Sequence, residues 1–147
     1  MKCRILSSVA LIMLTVAAAY GAGKVYCKYC GGSYSSISSM TSSNCSRHPE
    51  GVFQGRHALY EGEIRSKYYC EYCGSSYSSI SSMTSSKCSR HPDGAFAGRH
   101  IPYTGSYKSK YECKYCGNSY SSISSMTSSN CSRHPNGSFK GRHRPAE

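Results

Sequence analysis

The chain has 147 residues, no tryptophan, three phenylalanines, ten cysteines and a formal charge of +11 from 18 basic against seven acidic side chains. Too few large apolar residues are present for one broad core. The basic excess directs attention to polyanionic partners such as acidic glycans, a cell envelope or extracellular nucleic acid, or to solubility alone.

The N-terminus differs from everything after it. Lys2 and Arg4 precede an apolar run from Ile5 to Ala19 that exits through Ala19-Tyr20-Gly21. A charged start, an apolar stretch of this size and a small-residue exit resemble a cleavable export signal over residues 1–21, cut after Gly21. The run is shorter than the ~20 apolar residues a spanning helix needs, and no later segment is apolar enough to span. The protein is therefore expected to be secreted or periplasmic. Cleavage removes Cys3 and two basic side chains, leaving nine cysteines and a formal balance of +9.

From Cys27 the sequence repeats with a period of 43 residues, restarting at Cys70 and Cys113, and 25 of the 31 positions from Cys27 to His57 are the same in all three copies. Three units follow, 24–57, 66–100 and 109–143. Each opens on a short β-prone segment (Lys24-Val25-Tyr26 in the first) leading into Cys-x-Tyr-Cys-Gly, which predicts a strand and a tight knuckle with Gly31, Gly74 and Gly117 at positive φ. Over Ser35 to Ser43, the three-residue spacing of Tyr34, Ile37 and Met40 predicts a helix of two to three turns capped by an early serine. It must end by Pro49, Pro92 and Pro135, after which an x-Gly pair turns the chain into an extended tail. The candidate core is Tyr34, Ile37, Met40 and Phe53. The 12-residue segments 58–69 and 101–112 are expected to be tethers, partly strand.

Units below about 40 residues usually need a disulfide, a metal or a partner to fold. Three cysteines per unit always strand one thiol if they pair within the unit, whereas a four-ligand ion strands none. An exported protein would normally oxidise paired cysteines, but nine cannot all pair within one chain, and a disulfide framework gives the interleaved histidines no role. Cys27-x2-Cys30-x14-Cys45-x2-His48 has the two-pair spacing of a structural zinc site, and it recurs as Cys70, Cys73, Cys88, His91 and as Cys113, Cys116, Cys131, His134. Zinc, one ion per unit and three in all, suits three thiolates and an imidazole; iron is the competitor. His57, His100 and His143 are alternative ligands, nine residues beyond the preferred histidine. The fold class expected is small metal-stabilised α+β, three tandem beads each built of a hairpin knuckle, a short helix and an extended tail.

From Tyr26 to Met40 the unit resembles the ββα zinc fingers of the Cys2His2 class, with an aromatic before Cys-x2-Cys, Tyr34 where those fingers carry Phe and Met40 where they carry Leu. It departs at Ser43, which stands where the first helix histidine would be. The resemblance implies a hairpin plus helix. The cassette also looks like a group of exported bacterial repeat proteins without an established activity. Base-reading helix positions map to Ser36, Ser39 and Ser42, which carry no bidentate code. This argues against sequence-specific DNA reading and leaves Arg47, Arg56 and their repeats for phosphates or acidic sugars. No acidic residue is shared by the three units (Glu50, Asp93, Asn136), so a catalytic zinc lacks its usual carboxylate. The expected function is non-enzymatic, multivalent binding to an anionic surface or polymer. Zinc storage or scavenging and non-sequence-specific nucleic-acid binding are the alternatives.

Overall fold

A computed structural model describes residues 23–147; the export-signal reading falls on residues outside it. Each unit is a two-stranded antiparallel hairpin followed by one short helix. The elements are β1 (Val25–Tyr26), β2 (Ser33–Tyr34), α1 (Ile37–Thr41), β3 (Tyr68–Tyr69), β4 (Ser76–Tyr77), α2 (Ile80–Thr84), β5 (Tyr111–Glu112), β6 (Ser119–Tyr120) and α3 (Ile123–Met126). In the first hairpin Val25 pairs with Tyr34 and Tyr26 with Ser33, and the other two keep the same register. The knuckle glycines take φ of +70°, +71° and +75°. Among the described residues no helix is long and apolar enough to cross a membrane.

The helices are shorter than the apolar spacing predicts. Ser36 accepts a hydrogen bond from the Ser39 amide while the Ser39 hydroxyl bonds back to the Ser36 amide, a complete capping box that recurs at Ser79/Ser82 and Ser122/Ser125. At the other end Thr41 Oγ1 donates to the Ile37 carbonyl (3.0 Å) and Ser42 Oγ to the Ser39 carbonyl (2.7 Å). Serine-rich sequence starts a helix well, and its hydroxyls then compete for the carbonyls that would continue it. Little more than one turn survives.

Met40, Met83 and Met126 are fully buried, one per unit, beside the cysteines. Each contributes about 1.5–3 kcal/mol, far less than the ~10–16 kcal/mol a structural zinc ion supplies at neutral pH. Phe53 is not a core residue. It and its equivalents Phe96 and Phe139 are 58%, 58% and 62% exposed, each at a φ near +60°. The backbone there is bent to close a loop: the Phe53 amide donates to the Cys45 carbonyl (3.0 Å), and Asn44 Nδ2 donates to the Phe53 carbonyl (3.0 Å).

The segments between units are packed rather than loose. After His57 the chain returns along the free edge of β1, with the Tyr60 amide on the Tyr26 carbonyl (2.8 Å) and the Lys28 amide on the Ala58 carbonyl (2.9 Å). Tyr60 and Tyr68 are buried edge to face, as are Tyr103 and Tyr111. Tyr26 packs into the core of the second unit and Tyr69 into that of the third.

Consecutive units stack through one repeated contact. Arg47 Nη1 donates to the Ser81 carbonyl (2.8 Å) and Thr84 Oγ1 (3.0 Å) of the next unit; Arg90 makes the same pair of bonds to Ser124 (2.9 Å) and Thr127 (3.1 Å). A Cβ on Gly31 would lie 2.2 Å from the Ser81 amide nitrogen, and one on Gly74 2.2 Å from that of Ser124. The knuckle of one unit thus sits against the helix of the next at a distance only glycine permits. Ile80 and Ile123 are consequently 3% exposed, while Ile37, which has no preceding unit among the described residues, is 51% exposed. The units form a short solenoid in which each touches its sequence neighbour.

Candidate metal centres

Each knuckle delivers two cysteines to one point. The Gly31 amide donates to the Cys27 carbonyl (2.8 Å), closing the turn, while the Tyr29 amide points at Cys27 Sγ and the Gly32 amide at Cys30 Sγ, both at 3.4 Å. Cys45 begins a second tight turn after the helix, where the Arg47 amide approaches Cys45 Sγ at 3.4 Å. Amides aimed at sulfur stabilise thiolate over thiol.

The fourth member of each cluster is His57, His100 or His143, and not His48, His91 or His134. Ligand atoms of Cys27, Cys30, Cys45 and His57 all lie within 4.8 Å of one another, as do those of Cys70, Cys73, Cys88 and His100, and of Cys113, Cys116, Cys131 and His143. The physical reason is the fold of the tail. The Cys45 amide bonds to the Gly55 carbonyl (2.7 Å) and Asn44 bridges Arg56 in antiparallel sense, so the tail doubles back and sets the next residue, His57, over the thiols.

His48 has a different task. Its ring lies edge-on to Tyr29 (centroids 5.2 Å apart), accepts the Glu50 amide on Nδ1 (3.4 Å), and covers Gly55 so closely that a Cβ there would fall 2.4 Å from Nε2. His91 and His134 repeat this against Gly98 and Gly141. These rings shape the Pro-x-Gly turn that carries the true fourth member back.

The spacing fits zinc. Tetrahedral ligands with Zn–S of ~2.3 Å and Zn–N of ~2.0 Å stand roughly 3.5–3.8 Å apart. Here Cys27 and Cys45 Sγ are 3.9 Å apart, and Nδ1 of His57, His100 and His143 is 3.4 Å from Sγ of Cys30, Cys73 and Cys116 respectively. The three Cys3His clusters are compatible with three zinc ions, one per unit.

Charge makes the same demand. Burial, reinforced by the neighbouring thiols, pushes Cys45 up to about 12 and Cys131 up to about 11. In the third unit burial also works to raise Cys113, yet hydrogen bonds from the amides of Tyr115, Arg144 and Cys116 and from His143 bring it down to about 6. Without a cation each cluster thus retains protons on part of its sulfur; a divalent ion replaces them and releases them to solvent. Burial also lowers His57, keeping its imidazole neutral and its Nδ1 lone pair available. All nine cysteines of the described residues are free thiols.

A tyrosine holds each histidine from behind. Tyr34 Oη lies 2.9 Å from His57 Nε2, Tyr77 Oη 2.9 Å from His100 Nε2 and Tyr120 Oη 3.0 Å from His143 Nε2. With Nδ1 turned to the sulfurs, Nε2 carries the proton and the phenol oxygen accepts it, which fixes tautomer and ring angle. The sequence pattern marks Tyr34 as a core residue and gives no sign of this role beyond its hydroxyl. Tyr34→Phe is expected to weaken zinc binding in the first unit about 10- to 100-fold, measured by competition with a chromophoric chelator; unchanged affinity would remove the tyrosine from the site.

Arg47 and Arg56, candidates for phosphate or sugar contact, both hydrogen-bond within the protein, with Arg47 half-buried and Arg56 exposed. Arg47 and Arg90 bridge units, while Arg56, Arg99 and Arg142 donate to carbonyls at the ends of the helices: Arg56 to Ser42, Arg99 to Ser85 (2.9 Å) and Arg142 to Ser128 (2.9 Å). Comparison with protein-family models, curated proteins and solved structures gives no match, so the reading rests on this geometry.

Proposed function

We propose that the protein is an exported, non-enzymatic module whose three structural zinc sites hold a basic surface for multivalent binding to an anionic surface or polymer. Four protein ligands per cluster close each site, the arrangement of structural rather than catalytic zinc. The observation that carries the reading is a groove of about 360 Å³ between the second and third units, whose lining includes Arg90, Lys140, Arg142 and Arg144 against the single carboxylate of Asp93. Arg90 and Arg142 donate to neutral carbonyls and keep their charge unneutralised; Arg144 is paired with Glu71 at 2.9 Å. The matching positions between the first and second units hold Ala97 and Ile101 in place of Lys140 and Arg144, and Lys87 in place of Asn130, so that pair of units carries one fewer basic side chain there. The exposed Phe53, Phe96 and Phe139 add an apolar contact at a fixed period, which three linked units convert into avidity.

Zinc-loaded protein is expected to be retained on a heparin column and to elute earlier as salt is raised, because contacts between exposed charges are screened within a Debye length of about 8 Å at physiological ionic strength. Lys140→Glu should weaken binding about three- to tenfold, and Lys24→Glu, an equal change of charge away from the groove, should weaken it less. Retention indifferent to salt, or equal losses in the two variants, would count against the groove.

A further inference from the structure

The contact that joins unit to unit leaves half of itself open at each end of the described chain. It has a knuckle side, made of a glycine and an arginine, and a helix side, made of an isoleucine, a serine and a threonine. Gly31 and Arg47 meet Ile80, Ser81 and Thr84; Gly74 and Arg90 meet Ile123, Ser124 and Thr127. The third unit presents the same knuckle side, Gly117 and Arg133, and the first presents the same helix side, Ile37, Ser38 and Thr41.

Both remaining faces are bare among the described residues. No atom lies within 4 Å of where a Gly117 Cβ would sit, in contrast to the 2.2 Å approaches at Gly31 and Gly74. Arg133 is exposed where Arg47 and Arg90 are half-buried, and Thr41 is exposed where Thr84 and Thr127 are buried. Ile37 is left half exposed. The Ser38 carbonyl and Thr41 hydroxyl are the acceptors that Arg133 lacks, by the equivalence of positions.

We propose that the knuckle face of the third unit binds the helix face of the first unit of a second copy, so that chains add head to tail. The occupant is a second copy because this contact already forms twice within one chain from the same residue types. The interface is heterologous, two different patches meeting, so addition continues instead of stopping at a symmetric dimer. It is weaker than the internal contacts for two visible reasons. Glu112 stands where Tyr26 and Tyr69 pack into the following unit, and the covalent linker that holds internal neighbours at high effective concentration is absent.

The test uses zinc-loaded residues 22–147, which contain every contact described above, in sedimentation velocity from micromolar to millimolar protein. The mean mass should rise with concentration past that of two chains. Ile37→Lys spoils only the helix face and Arg133→Glu only the knuckle face; both side chains are exposed, and circular dichroism with zinc counting by native mass spectrometry verifies the fold. Each variant alone should remain monomeric where the unaltered protein associates. An equimolar mixture of the two should give dimers and nothing larger, since one good knuckle face and one good helix face remain. A monomer at every concentration, association unaffected by either variant, or a mixture that stays monomeric would each overturn the proposal.

Discussion

Replacing His57 with alanine is expected to leave the purified protein with two tightly held zinc ions in place of three, and His48→Ala to leave all three. The first substitution removes the imidazole that completes the cluster with Cys27, Cys30 and Cys45 among the described residues and should weaken that site by more than about 100-fold, beyond what loss of a supporting hydrogen bond costs. The second removes an edge contact with Tyr29 and an acceptor for the Glu50 amide, about 1–2 kcal/mol of stability without a ligand. Native mass spectrometry after exposure to a competing chelator reads both variants directly. An ion lost from His48→Ala and kept in His57→Ala would reverse the assignment. Full removal of zinc should abolish the folded circular dichroism signal, because one methionine and the few tyrosines and isoleucines buried with it contribute less than the ion. A storage protein would instead survive stripping and reload.

Gly74→Ala is expected to separate the second and third units, whereas Gly117→Ala leaves the stack intact. The two glycines have nearly the same backbone, φ of +71° and +75°, so alanine incurs the same left-handed penalty of roughly 1–2 kcal/mol at both. Only at Gly74 does the new methyl meet something: the Ser124 amide nitrogen at 2.2 Å and its Cα at 2.5 Å, backbone atoms that cannot swing aside. Relieving that clash exposes Ile123, worth about 1.5–3 kcal/mol, and breaks the bonds from Arg90, worth about 1–3 kcal/mol. Thermal unfolding should show the Gly74 variant destabilised by about 3–5 kcal/mol relative to the Gly117 variant, with the third unit exchanging amide hydrogen first. Equal destabilisation would mean that the units do not depend on their contact.

Local chemistry was legible before the fold was known. The pattern Cys-x-Tyr-Cys-Gly specifies its own knuckle, since the turn needs a positive φ and two sulfurs on one side, and Gly31 has both the conformation and the place expected. The choice between His48 and His57 was not legible, because ligand spacing counts residues and the answer depends on a tail that doubles back over Gly55. The helix was overestimated because apolar spacing at Tyr34, Ile37 and Met40 reports a face, not a length; the hydroxyls of Thr41 and Ser42 decide where it ends. Phe53 lies outside the core for a related reason: hydrophobic character says nothing of a backbone held at positive φ beneath it. Stacking was the least visible of all. Ile37 and Ile80 occupy equivalent positions in matching stretches of sequence, yet one is exposed and the other buried, so their difference belongs to the neighbour and not to the local code.

In the exported protein proposed above, the chain order of each cluster's members bears on how its thiols meet an oxidising compartment. Three sulfurs come from the first 19 residues of the cassette, and the imidazole arrives 12 residues after the last of them, only once the tail has folded back beneath its Phe. Without that imidazole the three thiols would have one side uncovered, open to oxidation. After export, capture of the ion would have to outrun oxidation as each unit folds. The returning histidine, steadied by its tyrosine, is the closure that ends this vulnerable interval.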